Sequence, residues 1–97
     1  MLTVKHTRSL GFREGISGTR YLRDAVNFIL EQPPEERPAL TKEVYPAVAK
    51  KYGKKATVIE RGIRHTIARS DCPESWGTNS DVIFELAQRC RDGEFDD

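Results

Sequence analysis

Gly53 constrains this chain more than any other residue. It interrupts a basic stretch, TKEVYPAVAKKYGKKATVIERGIRHTIARS from Thr41 to Ser70, between two segments whose apolar residues recur with a helical period. Before it, Thr41 can cap a helix running to about Tyr52, with Val44, Val48, Ala49 and Tyr52 on the inner stripe. After it, a helix from about Ala56 to Arg69 carries Ile59, Gly62, Ile63, Thr66 and Ile67 on its buried side; Thr57 with Glu60 has the spacing of a capping box, with Lys55 or Ala56 as the alternative first residue. Glycine tolerates positive φ, so it can end the first helix and turn sharply into the second. Ala49, four positions before the glycine, is small enough to let the two helices approach, and Ile59, six positions after it, closes the angle between them. These are the packing needs of a helix-turn-helix, although any helical hairpin with a tight glycine turn shares them. Pro46 adds a restriction. Either the first helix is bent there, or its regular part begins at Tyr45 with the proline near the first position, where no backbone donor is needed.

The outward side of the second helix is chemically distinct. With Ile59 as the reference and about 100° per residue, Arg61 and Ala68 fall near the opposite pole, with Val58, Arg64 and His65 beside them and Glu60 at the margin. Thr41 to Ser70 holds eight bases against two acids, a net +6, which leaves −5 for the rest of a chain whose total is +1. Charge segregated in this way presents a local positive field suited to a polyanion; a solvated lysine-rich helix face is the plainer alternative. Arg61 and Arg64 are forked donors able to address guanine O6 and N7 or phosphates, Glu60 can accept from a cytosine amino group, and His65 can donate to a phosphate or a base edge. Lys42, Lys50, Lys51, Lys54 and Lys55 suit backbone contacts, which supply affinity and salt dependence without sequence information. Glu60 and His65 on a convex helix face, with no nucleophile or cleft beside them, do not make an enzyme.

The remaining segments read as support. Met1 to Gly15 is a short helix or an extended arm packing through Leu10 and Phe12. Thr19 to Gln32 is an amphipathic helix with Leu22, Ala25, Val26, Ile29 and Leu30 on one stripe, capped by Ser17 or Thr19 and ended by Pro33 and Pro34. Pro33 to Ala39 is a connection too short for a domain linker. Ser70 to Gly77 is a loop in which Trp76, the one tryptophan, lies over the core as a lid. Thr78 or Asn79 caps a last helix with Ile83, Leu86, Ala87 and Cys90 inward; Gly93 ends it, and Glu94 to Asp97 is an acidic, frayed tail.

Size and composition exclude most other classes. A chain of 97 residues is one domain spanning 1–97, an all-α unit of four to five helices, too small for a scaffold with a deep catalytic cleft. A mean hydropathy of −0.62 with 32% charged residues describes a globular, soluble chain. No run approaches the roughly 20 apolar residues of a membrane span, and Met1 to Leu10 lacks a signal-peptide core, so a cytoplasmic location is expected. Cys72 and Cys90 would then be reduced thiols, with Cys90 a core residue, and neither they nor His6 and His65 have metal-ligand spacing. No cofactor and no metal are expected.

At the central stretch the chain resembles the DNA-binding effector domain of the stage-zero sporulation response regulator A family, whose pattern runs approximately ITK-LYP-IAKK followed by S-VERAIRHAIE. The likeness extends upstream through ISGTRYLRDAV and downstream through TNSDVIFELA, covering most of residues 10 to 90. YP, AKK, ERGIRH and TNS in that order are far more specific than the helix-turn-helix spacing. The resemblance implies a cytoplasmic transcription factor of spore-forming bacteria that binds double-stranded promoter DNA, as a homodimer or as adjacent copies, and contacts RNA polymerase. By position, Glu60 and Arg61 match family residues that read bases, while Thr57, Arg64 and His65 match recognition-helix positions near the DNA.

Three departures accompany the resemblance. Val58 stands where the family carries a base-reading arginine; it cannot hydrogen-bond but can touch a thymine methyl, so the site read here differs. Ser70 to Gly77 is much shorter than the corresponding family segment, as if one helix were missing. With no phosphoacceptor receiver domain before the effector, phosphorylation-controlled dimerisation is not assumed. The residues expected at the DNA are therefore Val58, Glu60, Arg61 and His65 for bases, and Lys42, Lys50, Lys51, Lys54, Lys55, Thr57 and Arg64 for the backbone. The competing expectation is a protein-interaction module derived from that domain, binding a regulator instead of DNA.

Overall fold

The structure, a computed structural model, describes residues 1–95. Its helices are α1 (Val4–Ser9), α2 (Ser17–Leu30), α3 (Tyr45–Tyr52), α4 (Ala56–Ala68) and α5 (Asn79–Arg91), joined by a π-helical turn at Leu40–Val44 and a 3-10 turn at Pro73–Ser75. No strand occurs among the described residues, so the domain is all-helical as its periodicities indicate.

α2 is the spine on which the others pack. Leu22, Ala25, Val26 and Ile29 are buried along one stripe, with Leu30 at its margin. α4 crosses this helix with the two backbones almost touching. A Cβ placed on Gly18 would sit 1.8 Å from the Gly62 carbonyl oxygen, and one on Gly62 would sit 2.8 Å from the Tyr21 ring. Beside the crossing, the fully buried hydroxyls of Thr19 and Thr66 bond to each other. Thr19 donates its proton to the Arg13 carbonyl at 2.7 Å, so Thr66 is the donor between the two. Ile59 and Ile63 of α4 are wholly buried on the same side, each contributing about 1.5–3 kcal/mol by removal from water.

The Thr19 hydrogen bonds explain why the expected cap of α2 is absent. Ile16 is the residue before the helix and no side chain caps it, because Thr19 is inside the first turn and turned to the core, while Ser17 is already helical. The expected Thr41 cap is also absent. The chain enters the next turn through Ala39, whose N–H is accepted by the Glu43 carboxylate at 2.6 Å. The π-helical turn settles the question posed by Pro46. Tyr45 N–H reaches back five residues to the Leu40 carbonyl, and regular α-helix starts at Tyr45 with Pro46 in the first positions, where its missing donor leaves no gap.

Thr57 and Glu60 do not form the expected capping box. α4 begins at Ala56 after an extended Lys55, so Thr57 is within the first turn, and the Glu60 carboxylate is bonded to Arg64 instead. The last helix is capped by Thr78, of the two candidates, in a reciprocal pair with Asp81. Val82 joins Ile83, Leu86 and Ala87 in the core, and Cys90 packs half-buried at its edge.

The N-terminus is a short helix rather than an arm, and its main anchors are Leu2 and Phe12, with Leu10 only half-buried. Asn27 clasps it from α2, accepting from Leu2 N–H at 2.7 Å and donating to Leu2 carbonyl at 3.0 Å. Trp76 lies over Phe12, ring centroids 5.2 Å apart, as the lid the sequence suggests. The tail is better held than expected: Glu94 pairs with Arg89, and Phe95 stacks 5.0 Å from His6. Asp96 and Asp97, the rest of that expected acidic tail, lie outside the described residues.

Candidate nucleic-acid interface

The turn between α3 and α4 is built by backbone hydrogen bonds around one left-handed residue. Gly53 has φ +63° and ψ +35°; its N–H bonds to Lys50 carbonyl at 3.4 Å, and Lys54 N–H bonds to Ala49 carbonyl at 3.0 Å. This pair of bonds is a Schellman closure, and Lys55 then runs extended into α4. Ala49 and Ile59 are both buried where the two helices meet, as the spacing requires.

The buried stripe of α4 leaves Thr57, Val58, Arg61, Arg64, His65 and Ala68 exposed, with Glu60 half-buried between the two sides. Val58 is 41% exposed, and Met1 and Val4 are the other exposed large apolar residues among those described. Its neighbours on the helix surface are polar, so it forms no apolar patch. The Arg61 side chain has no ion pair or hydrogen bond within the described residues. Arg64 does: its guanidinium grips the Glu60 carboxylate one turn earlier. Glu60 is therefore occupied in the unbound protein, and an i,i+4 pair of this exposure is worth only about 0.3–0.5 kcal/mol, a small barrier to exchange.

The five lysines separate into two groups. Lys42, Lys50, Lys54 and Lys55 are exposed and have no ion pair within the described residues. Lys51 differs, since its ammonium pairs with Asp24 of α2 at 3.2 Å and lies 5.6 Å from the centre of the Tyr52 ring. Of the five lysines it is the one the fold already uses.

Three residues that the sequence reasoning did not assign to the site adjoin it. Tyr45 is 5% exposed, and its phenol is pushed above its ordinary pKa, first by burial; an Asn79 hydrogen bond partly opposes this. The helical period would have placed Tyr45 on the stripe with Val48, Ala49 and Tyr52, but the adjacent proline obscured it. Asn79 donates to Tyr45 hydroxyl at 3.3 Å and to the Glu60 carbonyl of α4 at 2.9 Å. Arg20 of α2 lies over the Tyr52 ring at 5.5 Å, adding a guanidinium beside the Gly53 turn. Tyr52 itself donates to the Asp24 carboxylate; burial and that bond push its pKa up to about 12.

No cluster of three or more His, Cys, Asp or Glu able to hold a metal occurs among the described residues, and no helix there is long and apolar enough to cross a membrane. Residues 3–72 match the family described as sporulation initiation factor Spo0A C terminal. The matched span takes in α1 to α4, including the whole helix-turn-helix, and ends within the short Ser70 to Gly77 segment.

Proposed function

The chain belongs to the family of sporulation initiation factor Spo0A C-terminal domains, and from that premise we propose that it reads duplex DNA sequence-specifically with α4 in the major groove. Membership carries the general assignment, a DNA-binding domain of a sporulation regulator. The single observation behind the finer one is the division of α4: its inner side is locked to α2, while an outer edge with Val58, Arg61 and His65 stands free.

Each exposed group then has a role. Arg61 addresses a guanine through two donors, Val58 touches a thymine methyl, and His65 donates to a base edge or phosphate. Glu60 accepts from a cytosine amino group, and Arg64, released as Glu60 engages, moves to a phosphate. Lys42, Lys50, Lys54, Lys55 and Thr57 hold the backbone; Lys51 contributes less because Asp24 holds it. The family supports a role as a cytoplasmic transcription factor on promoter DNA, with adjacent copies and an RNA polymerase contact as further elements of the same proposal. Nothing in this mechanism calls for catalysis.

The test is selection of bound sites from a random duplex pool, followed by titration at several salt concentrations. The expected result is a preference for selected over random duplex together with a log–log salt slope of about −0.9 for each phosphate neutralised. A flat salt response or no preference would sink the proposal. A protein-interaction role in place of DNA binding has one observation in its favour, the exposed Val58, and predicts a protein partner whose binding survives Arg61→Ala.

A further inference from the structure

α5 begins beside α4, and its first residue joins both helices of the helix-turn-helix. The Asn79 side-chain nitrogen donates to the Glu60 carbonyl oxygen at 2.9 Å and to the Tyr45 hydroxyl at 3.3 Å. A carbonyl oxygen only accepts, so the amide nitrogen rather than the amide oxygen must face Glu60. One amide thus holds a backbone point on α4, between Val58 and Arg61 in the chain, and a buried side chain at the start of α3. Its own support is firm. Thr78 hydroxyl accepts from Asp81 N–H at 3.2 Å and the Asp81 carboxylate accepts from Thr78 N–H at 3.0 Å, which fixes the first turn of α5.

This contact adds a restraint on a second flank of α4 to the one the α2 seam supplies. Gly18, Gly62, Thr19 and Thr66 fix where α4 crosses α2, and Gly53 fixes where it begins. A hydrogen bond to the flank of the helix resists rotation about the helix axis, which is the motion that redirects every outward side chain together. Base reading tolerates an error of only about 0.5 Å or 10–20°.

We propose that Asn79 is a positioning residue for base reading: its amide sets the rotation of α4 against α3 and α5, and so the direction of Val58, Arg61 and His65. Asn79 itself does not touch DNA. The inference rests on the function proposed above and names one residue that makes its specificity possible.

Asn79→Asp separates positioning from folding. The side chains are isosteric, an aspartate in the first turn favours α5 through the helix dipole, and the Tyr45 hydroxyl can donate to it. What is lost is the donor to Glu60, replaced by an oxygen facing an oxygen. Wild type, Asn79→Asp and Asn79→Gln are titrated with a duplex selected by the wild type and with random duplex, alongside thermal melts. In Asn79→Asp the ratio of selected to random affinity falls by about tenfold, beyond the parallel loss in both affinities that the added negative charge and any lower melting temperature bring. Asn79→Gln, which keeps the donor on a longer arm, lies between the two. An unchanged ratio in Asn79→Asp overturns the inference, whether or not both affinities fall together with the melting temperature, because a smaller folded fraction lowers both alike. If the wild type itself shows no preference, the proposed function fails and the inference with it, a result distinguishable because it needs no variant.

Discussion

The two sides of α4 follow opposite rules. Toward α2 it presents Gly62, Thr66, Ile59 and Ile63, all closed in by neighbours, with the Gly62 carbonyl so near that Gly18 admits no methyl group, while one on Gly62 would press on the Tyr21 ring. Away from α2 it presents Val58, Arg61 and His65, whose side chains have no hydrogen bond or ion pair within the described residues. The contrast separates the residues that place the helix from the residues that do chemistry with it. Stability is concentrated in the seam and recognition on the edge, so changes to one should leave the other nearly intact.

The most severe challenge to that separation is Gly18→Ala. Alanine is the better helix former by about 1 kcal/mol, yet its Cβ would meet a backbone oxygen that cannot step aside. Chemical denaturation should show a net loss of about 2 kcal/mol. A stabilised Gly18→Ala variant would mean that the seam is not what fixes α4.

Arg61→Ala should do the converse. Its melting curve stays at the wild-type position, since an exposed and unpaired side chain is removed, while affinity for a selected duplex falls by about 1–3 kcal/mol and sequence preference relaxes. Loss of fold stability instead of specificity would collapse the distinction between the two sides.

Thr66→Val tests a smaller part of the seam. Deleting the donor to Thr19 in a side chain of nearly the same shape should cost about 1 kcal/mol in denaturation, with DNA preference retained.

The smallest effect sharpens the edge. Lys54→Ala should weaken binding to all sequences alike and reduce the salt slope by about 0.9, whereas Lys51→Ala should change it less because Asp24 already holds that ammonium. Equal slopes for the two variants would remove the distinction drawn between them.

The legible part of the fold was that carried by apolar period. The stripes of α2, α4 and α5, and the glycine turn at Gly53, follow from spacing alone, because a helix shows its buried face every three or four residues. The illegible parts have specific causes. Gly18 carries no side chain for periodicity to weigh, and its meeting with Gly62 joins residues far apart in the chain. Thr19 and Thr57 look like caps by type, but the helices start at Ser17 and Ala56 and place both inside. Pro46 masked the burial of Tyr45, since the π-helical turn before it is not written in any local pattern. Asn79 was legible as a cap candidate and not as a donor to α4, because that role exists only once α3, α4 and α5 are assembled. On the candidate site, residue type and face were readable from the sequence, but the engagement of Glu60 by Arg64 and of Lys51 by Asp24 was not.

The most direct measurement is residue-by-residue mapping of backbone amide and arginine side-chain NMR signals as a selected duplex is added. If α4 is the reading helix, the largest changes fall on Lys54 to His65 and on the Arg61 guanidinium, with the α2 stripe from Leu22 to Ile29 nearly still. Changes centred on α2 or the C-terminal half of α5, with Arg61 unmoved, would contradict it.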